Sequence, residues 1–590
     1  MDDRTPPGIS VGTRRGSSLF GPARPVPQSL VEARALCRRQ RGADGAHGPS
    51  DDHGKARSGT QRGIVHLLRH DITSERGGAD HRRGTGRCVL SDGDGFILTK
   101  IIATLGPATD EIGVVVRLIE EGARVFRINF SHGGFGQFVK LLEIVRSASD
   151  EVGVPVAVLG DLSGPKIRVA NIDSQRVVVE TGQRVAFQAA PAEPTGDPVT
   201  LTMTDSSVLD DIEPGERLLI DDGAVRMLVM ERADDDDGTR MMCRVTVGGP
   251  IGRAKGINLP DSNLTLPSLT DHDRRCVDWA LEHEIDYLAL SFVRRAEEIR
   301  QLRALLDERA GDGGAIPIVA KIEKPQALDD LENITREADA VMVARGDLGV
   351  EMDLAKVPII QKHVIAMAHD YGRPVIVATQ MLQSMIEQPT PTRAEVSDVA
   401  NAIYDGADAV MLSGETAIGR HPIQALAMMA RVARLTVDHL VREKDQKSMR
   451  PSRQLGEGRY RTAALARGVA AVVEDLDAHL VVTWSQRGGG ARYLSKNRLT
   501  VPIIAASSEP RALRRMSLLF GVVPIEMPMP AGREAFANEA DRLLQREGWA
   551  QPGDPIVLVA GKPLGVPGLT NTLWVRYVGD EEDEMGGEAE

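Results

Sequence analysis

The chain has 590 residues, 42% of them hydrophobic and 26% charged, with a net charge of −13. That composition is globular and the length too great for one core, so three or four domains are expected. An acidic body argues against nucleic acid as the main partner, and no apolar run is long enough to cross a membrane.

The charge is unevenly spread: residues 1–96 carry 16 Lys and Arg against 11 Asp and Glu, and the remainder 55 against 73. Residues 1–96 are rich in Gly, Arg, Ser and His and show no sustained apolar period, so they read as a disordered or mis-annotated extension. Their acidic residues count against a transit peptide, and a signal peptide would need an apolar core. Cys37, Cys88, Cys243 and Cys276 are scattered without CxxC spacing. Neither a zinc site nor a disulfide framework is indicated, which fits a reducing cytoplasm.

From residue 97 onward short β-branched runs recur, most followed by a segment of helical period. They are "TKIIATL" at 99, "RVFRINF" at 124, "VPVAVLGDL" at 154, "DYLALSFV" at 286, "IPIVAKIE" at 316, "AVMVARGDL" at 340, "PVIVATQM" at 374 and "AVMLSGET" at 409. Eight such strands alternating with helices predict a (β/α)8 TIM barrel, in two parts over 97–166 and 269–442. Between them, 167–268 alternates apolar and polar residues in short segments broken by Gly, Asp and Pro, the pattern of a small inserted β-barrel domain. A polar linker over 443–459 leads to an α/β domain over 460–579, with strands "AHLVVTW", "VPIIAAS", "VVPIEM" and "DPIVLVAG". An acidic tail, 580–590, closes the chain.

Chemistry in such a barrel sits at the carboxyl ends of the strands. Those ends carry Arg127, Asn129 and Ser131, then Asp161, Lys321 with Glu323, Asp347, Thr379, and Ser413 with Glu415. Buried charges there must pair with one another, bind metal or meet a charged ligand. Glu323 and Asp347 lie 24 residues apart, one βα repeat, and so fall on adjacent strands. Two converging carboxylates suit Mg2+, which takes one or two protein carboxylates and fills its octahedron with water and substrate oxygens. The competing reading is local pairing, Glu323 with Lys321. These two share a parity along one strand, so both point inward.

The segments "TKIIATLGPAT", "RVFRINFSHGG", "AKIEKPQAL", "MVARGDLGVE", "ATQMLQSM" and "PTRAEVSDVANAIYDGADAVMLSGETA" closely resemble pyruvate kinase, in order, from Thr99 to Val578. The resemblance implies Mg2+- or Mn2+-dependent phosphoryl transfer from phosphoenolpyruvate to ADP, giving pyruvate and ATP, the last step of glycolysis. It assigns Arg127 and Lys321 to the phosphoryl group, Glu323 and Asp347 to the metal, and the amides around Gly346 to the substrate carboxylate. Thr379 falls to the relay that delivers a proton to the enolate carbon, with Thr379, Ser413 or a bound water as the proximal acid, and Asn129, His132, Arg168 and Lys255 to the nucleotide.

Potassium-dependent members hold the ion with Asn, Ser, Asp and Thr and carry Glu nearby. Here Asn129, Ser131 and Asp161 remain, but Leu162 stands for the Thr and Lys166 for the Glu, as in members that work without a monovalent cation. A tethered ammonium replacing K+ is therefore expected. The loop holding Thr483, Ser485, Arg487, Gly488 and Arg492 corresponds to the family's site for a phosphorylated effector, and the assembly implied is a homotetramer. Two other classes compete: an Mg2+-dependent enolate-forming lyase or aldolase, and a non-catalytic regulator. The first lacks the inserted domain, and the second is expected to lose Lys321, Glu323 or Asp347.

Overall fold

The computed structural model describes residues 97–580, apart from 173–175, 236–237, 311–314, 444–459 and 566–568. The expectations for residues 1–96, the acidic tail and most of the linker lie outside the described residues. Each predicted apolar run contains a strand: β1 (Lys100–Thr104), β2 (Ala123–Asn129), β3 (Ala157–Asp161), β4 (Tyr287–Leu290), β5 (Ile318–Ile322), β6 (Ala340–Ala344), β7 (Val375–Ala378) and β8 (Ala409–Leu412). They form a closed parallel barrel, sealed where Lys100 of β1 registers with Ala409 of β8.

Alternation along each strand separates two apolar layers. Val319 of β5 belongs to the interior with Ile102, Leu159, Met342 and Ile376. Ala320 and Ile322 face the helices. Lys321 and Glu323 share the parity of Val319, which carries them inward at the carboxyl end.

The inserted domain is a six-stranded sheet running from Arg184 to Asn258, with a two-stranded ribbon of Val177–Val179 and Gly249–Ile251. Val179, Ile251 and the sheet share one apolar core. The C-terminal domain has five strands where four are expected. Four run parallel, and Thr572–Tyr577 pairs antiparallel with Pro555–Ala560 at the edge. This strand is half exposed, so its apolar content is too thin to stand out as a core strand.

The C-terminal domain closes the floor of the barrel. Leu518 is buried within the interior cluster, and Tyr287 at the start of β4 donates its hydroxyl to the Arg515 carbonyl at 2.6 Å. At the start of β1 the Lys100 ammonium donates to the Val522 carbonyl at 2.8 Å. Burial, followed by the charge of Arg124, brings its pKa down to about 7. The unfolded chain keeps that proton up to about pH 10.4, so it holds more protons than the folded chain between those values and stability rises with pH. Wild type should therefore gain in Tm relative to Lys100→Met as pH is raised from 6.5 to 9; a difference that stays flat or shifts in the variant's favour would refute the assignment.

Candidate active site

A cavity of about 260 Å³ opens at the carboxyl mouth of the barrel. Its wall gathers Arg127, Asn129, Ser131, His132, Asp161, Leu162, Lys166, Arg168, Lys321, Glu323 and Asp347, all named from the sequence. At its base Arg127 Nε meets Asp161 Oδ2 at 2.7 Å. Lys321 Nζ lies 3.2 Å from Asp161 Oδ1 and 2.8 Å from Glu323 Oε1. Local pairing of Glu323 with Lys321 is therefore present, inside the shared cavity rather than in place of it.

Burial alone would push Asp161 up, but the charges and hydrogen bonds of Lys321 and Arg127 hold it below the ordinary carboxylate range. Burial likewise opposes the Lys321 charge, yet the carboxylates of Asp161 and Glu323 outweigh it and keep the ammonium protonated well above its usual limit. Glu323 moves the other way. Burial raises it, Lys321 opposes, and the nearby Asp347 carboxylate raises it further. Glu323 and Asp347 are two carboxylates beside a single ammonium, Lys321, which Asp161 also shares. Among the described residues no cluster of three or more His, Cys, Asp or Glu could hold a metal. Two hard oxygen donors in one cavity fit Mg2+ or Mn2+, which take only one or two protein carboxylates.

Three wall residues went unnamed in the sequence: Ser163; Ser291, which accepts from Lys321 Nζ at 2.7 Å; and Phe292, whose amide donates to Glu323 Oε2 at 2.7 Å. Ser291 and Phe292 follow β4, a strand whose end carries no charge. At the rim, burial and the charges of Lys166, Arg168 and Arg127 hold His132 below its ordinary pKa. Asn129 Oδ1 accepts from the Ser131 amide at 3.1 Å.

Four expectations look different in three dimensions. Leu162 borders the cavity, but its side chain is buried in the barrel–helix layer, because Asp161 beside it takes the inward position. Lys255 is bound to Asp221 at 2.8 Å and is absent from the cavity wall. The Gly346 amide is taken by Thr379 Oγ1 at 2.6 Å, and that hydroxyl donates to the Ala378 carbonyl at 2.6 Å. Thr379 and Gln380 hold left-handed backbone, φ 68° and 56°, a strain that clusters at functional sites. Ser413 Oγ is buried without a hydrogen-bond partner. Gly346, Thr379 and Ser413 thus flank the cavity's chemistry from β6, β7 and β8 without belonging to its wall.

A second cavity, about 410 Å³, lies between the C-terminal domain and the barrel floor. Ser485, Arg487, Gly488 and Arg492 line it as the sequence suggests, joined by Arg515 and Thr570. Thr483 does not; its hydroxyl is buried without a partner.

The profile described as pyruvate kinase, barrel domain, matches residues 97–426, and that of pyruvate kinase, alpha/beta domain, residues 463–576. Pyruvate kinase of Mycobacterium tuberculosis H37Rv is 38% identical over 483 residues, covering 82% of this chain and 99% of its own. Pyruvate kinase 2 of Synechocystis sp. PCC 6803 is 39% identical over 488 residues, covering 81% of this chain and 79% of its own. The crystal structure of a pyruvate kinase from Cryptosporidium parvum superposes with a TM-score of 0.74 at 31% identity, covering 81% of this chain and 96% of that one.

Proposed function

This chain belongs to the pyruvate kinase family, and from that premise we propose how its own residues divide the work of moving a phosphoryl group from phosphoenolpyruvate to ADP. The observation that carries the reading is Lys321, fixed between Asp161 and Glu323 in a cavity it shares with Arg127 and Asp347. Arg127 has a fork to offer the phosphoryl oxygens, although its Nε is committed to Asp161. Lys321 neutralises charge on the migrating group and on the enolate oxygen. Glu323 and Asp347 would hold Mg2+, which supplies Lewis-acid neutralisation when bound.

The substrate carboxylate is assigned to the amides around Gly346, where it competes with the Thr379 hydroxyl. Thr379 and Ser413, both hydroxyls near the mouth, are the candidates for passing a proton to the enolate carbon. Asn129, His132 and Arg168 receive the nucleotide, and Lys255 joins them once it leaves Asp221. A lactate-dehydrogenase-coupled assay with phosphoenolpyruvate, ADP and Mg2+ tests the whole; absence of ADP-dependent pyruvate release would refute it.

We extend the reading to the monovalent ion. Lys166 stands exposed at the rim of the cavity that Asn129, Ser131 and, at its base, Asp161 also line, and none of the described ion pairs includes it. Its ammonium would supply the charge that K+ supplies elsewhere. Wild-type activity should be nearly indifferent to KCl. Lys166→Glu should lose activity about 100-fold in K+-free buffer, the scale of removing one charge-stabilising donor, and recover most of it with KCl. A variant as indifferent to KCl as wild type would refute this. A phosphorylated effector in the 410 Å³ cavity, a homotetramer and a cytoplasmic setting complete the proposal. Light scattering and titration with phosphorylated metabolites examine the first two.

A further inference from the structure

β4 ends in an abrupt corner. Ser291 follows its last residue, and Phe292 comes next with φ 55°, a left-handed backbone that a bulky side chain rarely adopts. Both residues of the corner serve the neighbouring strand. Ser291 Oγ accepts from Lys321 Nζ at 2.7 Å and donates to Asp161 Oδ1 at 3.4 Å. The Phe292 amide donates to Glu323 Oε2 at 2.7 Å, while Glu323 Oε1 faces Lys321 at 2.8 Å.

The Lys321 ammonium therefore has three acceptors, and they are not equivalent. Asp161 and Glu323 are charged, and by themselves they would draw the ammonium into the wedge between them. Ser291 is a neutral acceptor, only 3% exposed, held by a short side chain to the backbone just after β4. It can hold the direction of the ammonium without cancelling its charge. The Phe292 amide does the matching job for Glu323: it anchors the oxygen turned away from Lys321, so the carboxylate is held by a second group as well as by the ion pair. Strained backbone retained at the junction of two such contacts is the pattern expected of a positioning element.

We infer that Ser291 is a positioning residue for phosphoryl transfer, aiming the Lys321 ammonium at the migrating group while the strained Phe292 corner sets Glu323 beside it. The inference rests on the role given to Lys321 above. Without the hydroxyl, the ammonium relaxes toward the two carboxylates and withdraws from the phosphoryl position.

The test is steady-state kinetics of the full chain with phosphoenolpyruvate, ADP and Mg2+, wild type against Ser291→Ala, with melting temperature recorded for both. A displacement of this kind costs about 100-fold in rate, so kcat should fall about 30- to 100-fold with KM for phosphoenolpyruvate within about threefold, the signature of an interaction realised in the transition state. Should Ser291→Ala fail to melt cooperatively, Ser291→Cys carries the same test, since a thiol keeps the volume but is a weak acceptor. Inactive wild type would sink the reading of Lys321 itself. Active wild type with a variant at wild-type kcat, or with its loss carried by KM alone, would sink only the role of Ser291.

Discussion

Lys321→Met is expected to lower kcat about 1,000-fold, the upper end of what removal of one preorganised charge donor costs. The methionine fills nearly the same volume, so the loss reports charge rather than packing. Two effects combine. The migrating phosphoryl group loses the cation that neutralises it, and Asp161 and Glu323 lose the ammonium they share at 3.2 and 2.8 Å. Stranding buried carboxylates this way costs about 3–5 kcal/mol of stability, so the variant should also melt earlier. Because both carboxylates hold the ammonium above its usual pKa, Lys321 stays charged as pH rises through the neutral range. The wild-type kcat profile should accordingly show no descending limb from this group below about pH 10, the ordinary range of a lysine. A variant retaining a tenth of wild-type kcat would remove Lys321 from the mechanism.

The barrel was legible because eight short β-branched runs, buried on both faces, alternate with segments of helical period. Convergence of Glu323 and Asp347 was legible too, from a spacing of one βα repeat. Partner choice was not. Parity tells which side a residue faces, but whether Asp161 serves a cation site or pairs with Arg127 and Lys321 depends on the curvature that brings β2, β3 and β5 together.

The same parity, carried one residue on, would have turned Leu162 outward: Asp161 faces in, so its neighbour must face the helices. Ser291 escaped for a different reason. It carries no charge and lies outside the family-like segments, so it announces itself only through the ammonium beside it. Lys255 shows the reverse case, a cation the motif places near the nucleotide while a local carboxylate, Asp221, holds it in the structure.

The second large effect is expected far from the cavity, at the barrel floor. Asp408, just before β8, is fully buried and receives Lys496 of the C-terminal domain at 2.6 Å, Arg498 at 3.5 Å and the Val375 amide at 2.8 Å. Arg498 also lies 3.6 Å over the Phe520 ring. Burial would raise Asp408, but the charge of Lys496, with His369 and Arg498 behind it, depresses it below the ordinary range. Lys496 pays for its own burial, falling to about 8 with Asp408 opposing the drop, and so remains mostly charged at pH 7.

Lys496→Met should then destabilise the protein by about 3–5 kcal/mol, since a buried carboxylate loses its nearest cation. Asp408→Asn combined with Lys496→Met should cost clearly less than the sum of the single changes, because neither charge is left behind. The pH dependence has a definite sign. A depressed carboxylate gives wild type stability that is present above about pH 4 and lost as the pH falls through the depressed value. Where Lys496 is gone that depression shrinks, so the gap between wild type and Lys496→Met should hold from pH 7 to about pH 4 and narrow as the pH falls below that. Urea midpoints of the four proteins across that range decide it: additive costs, or a gap that widens in acid, would mean that the floor is held by Leu518 and its apolar neighbours, with the ion pair contributing nothing.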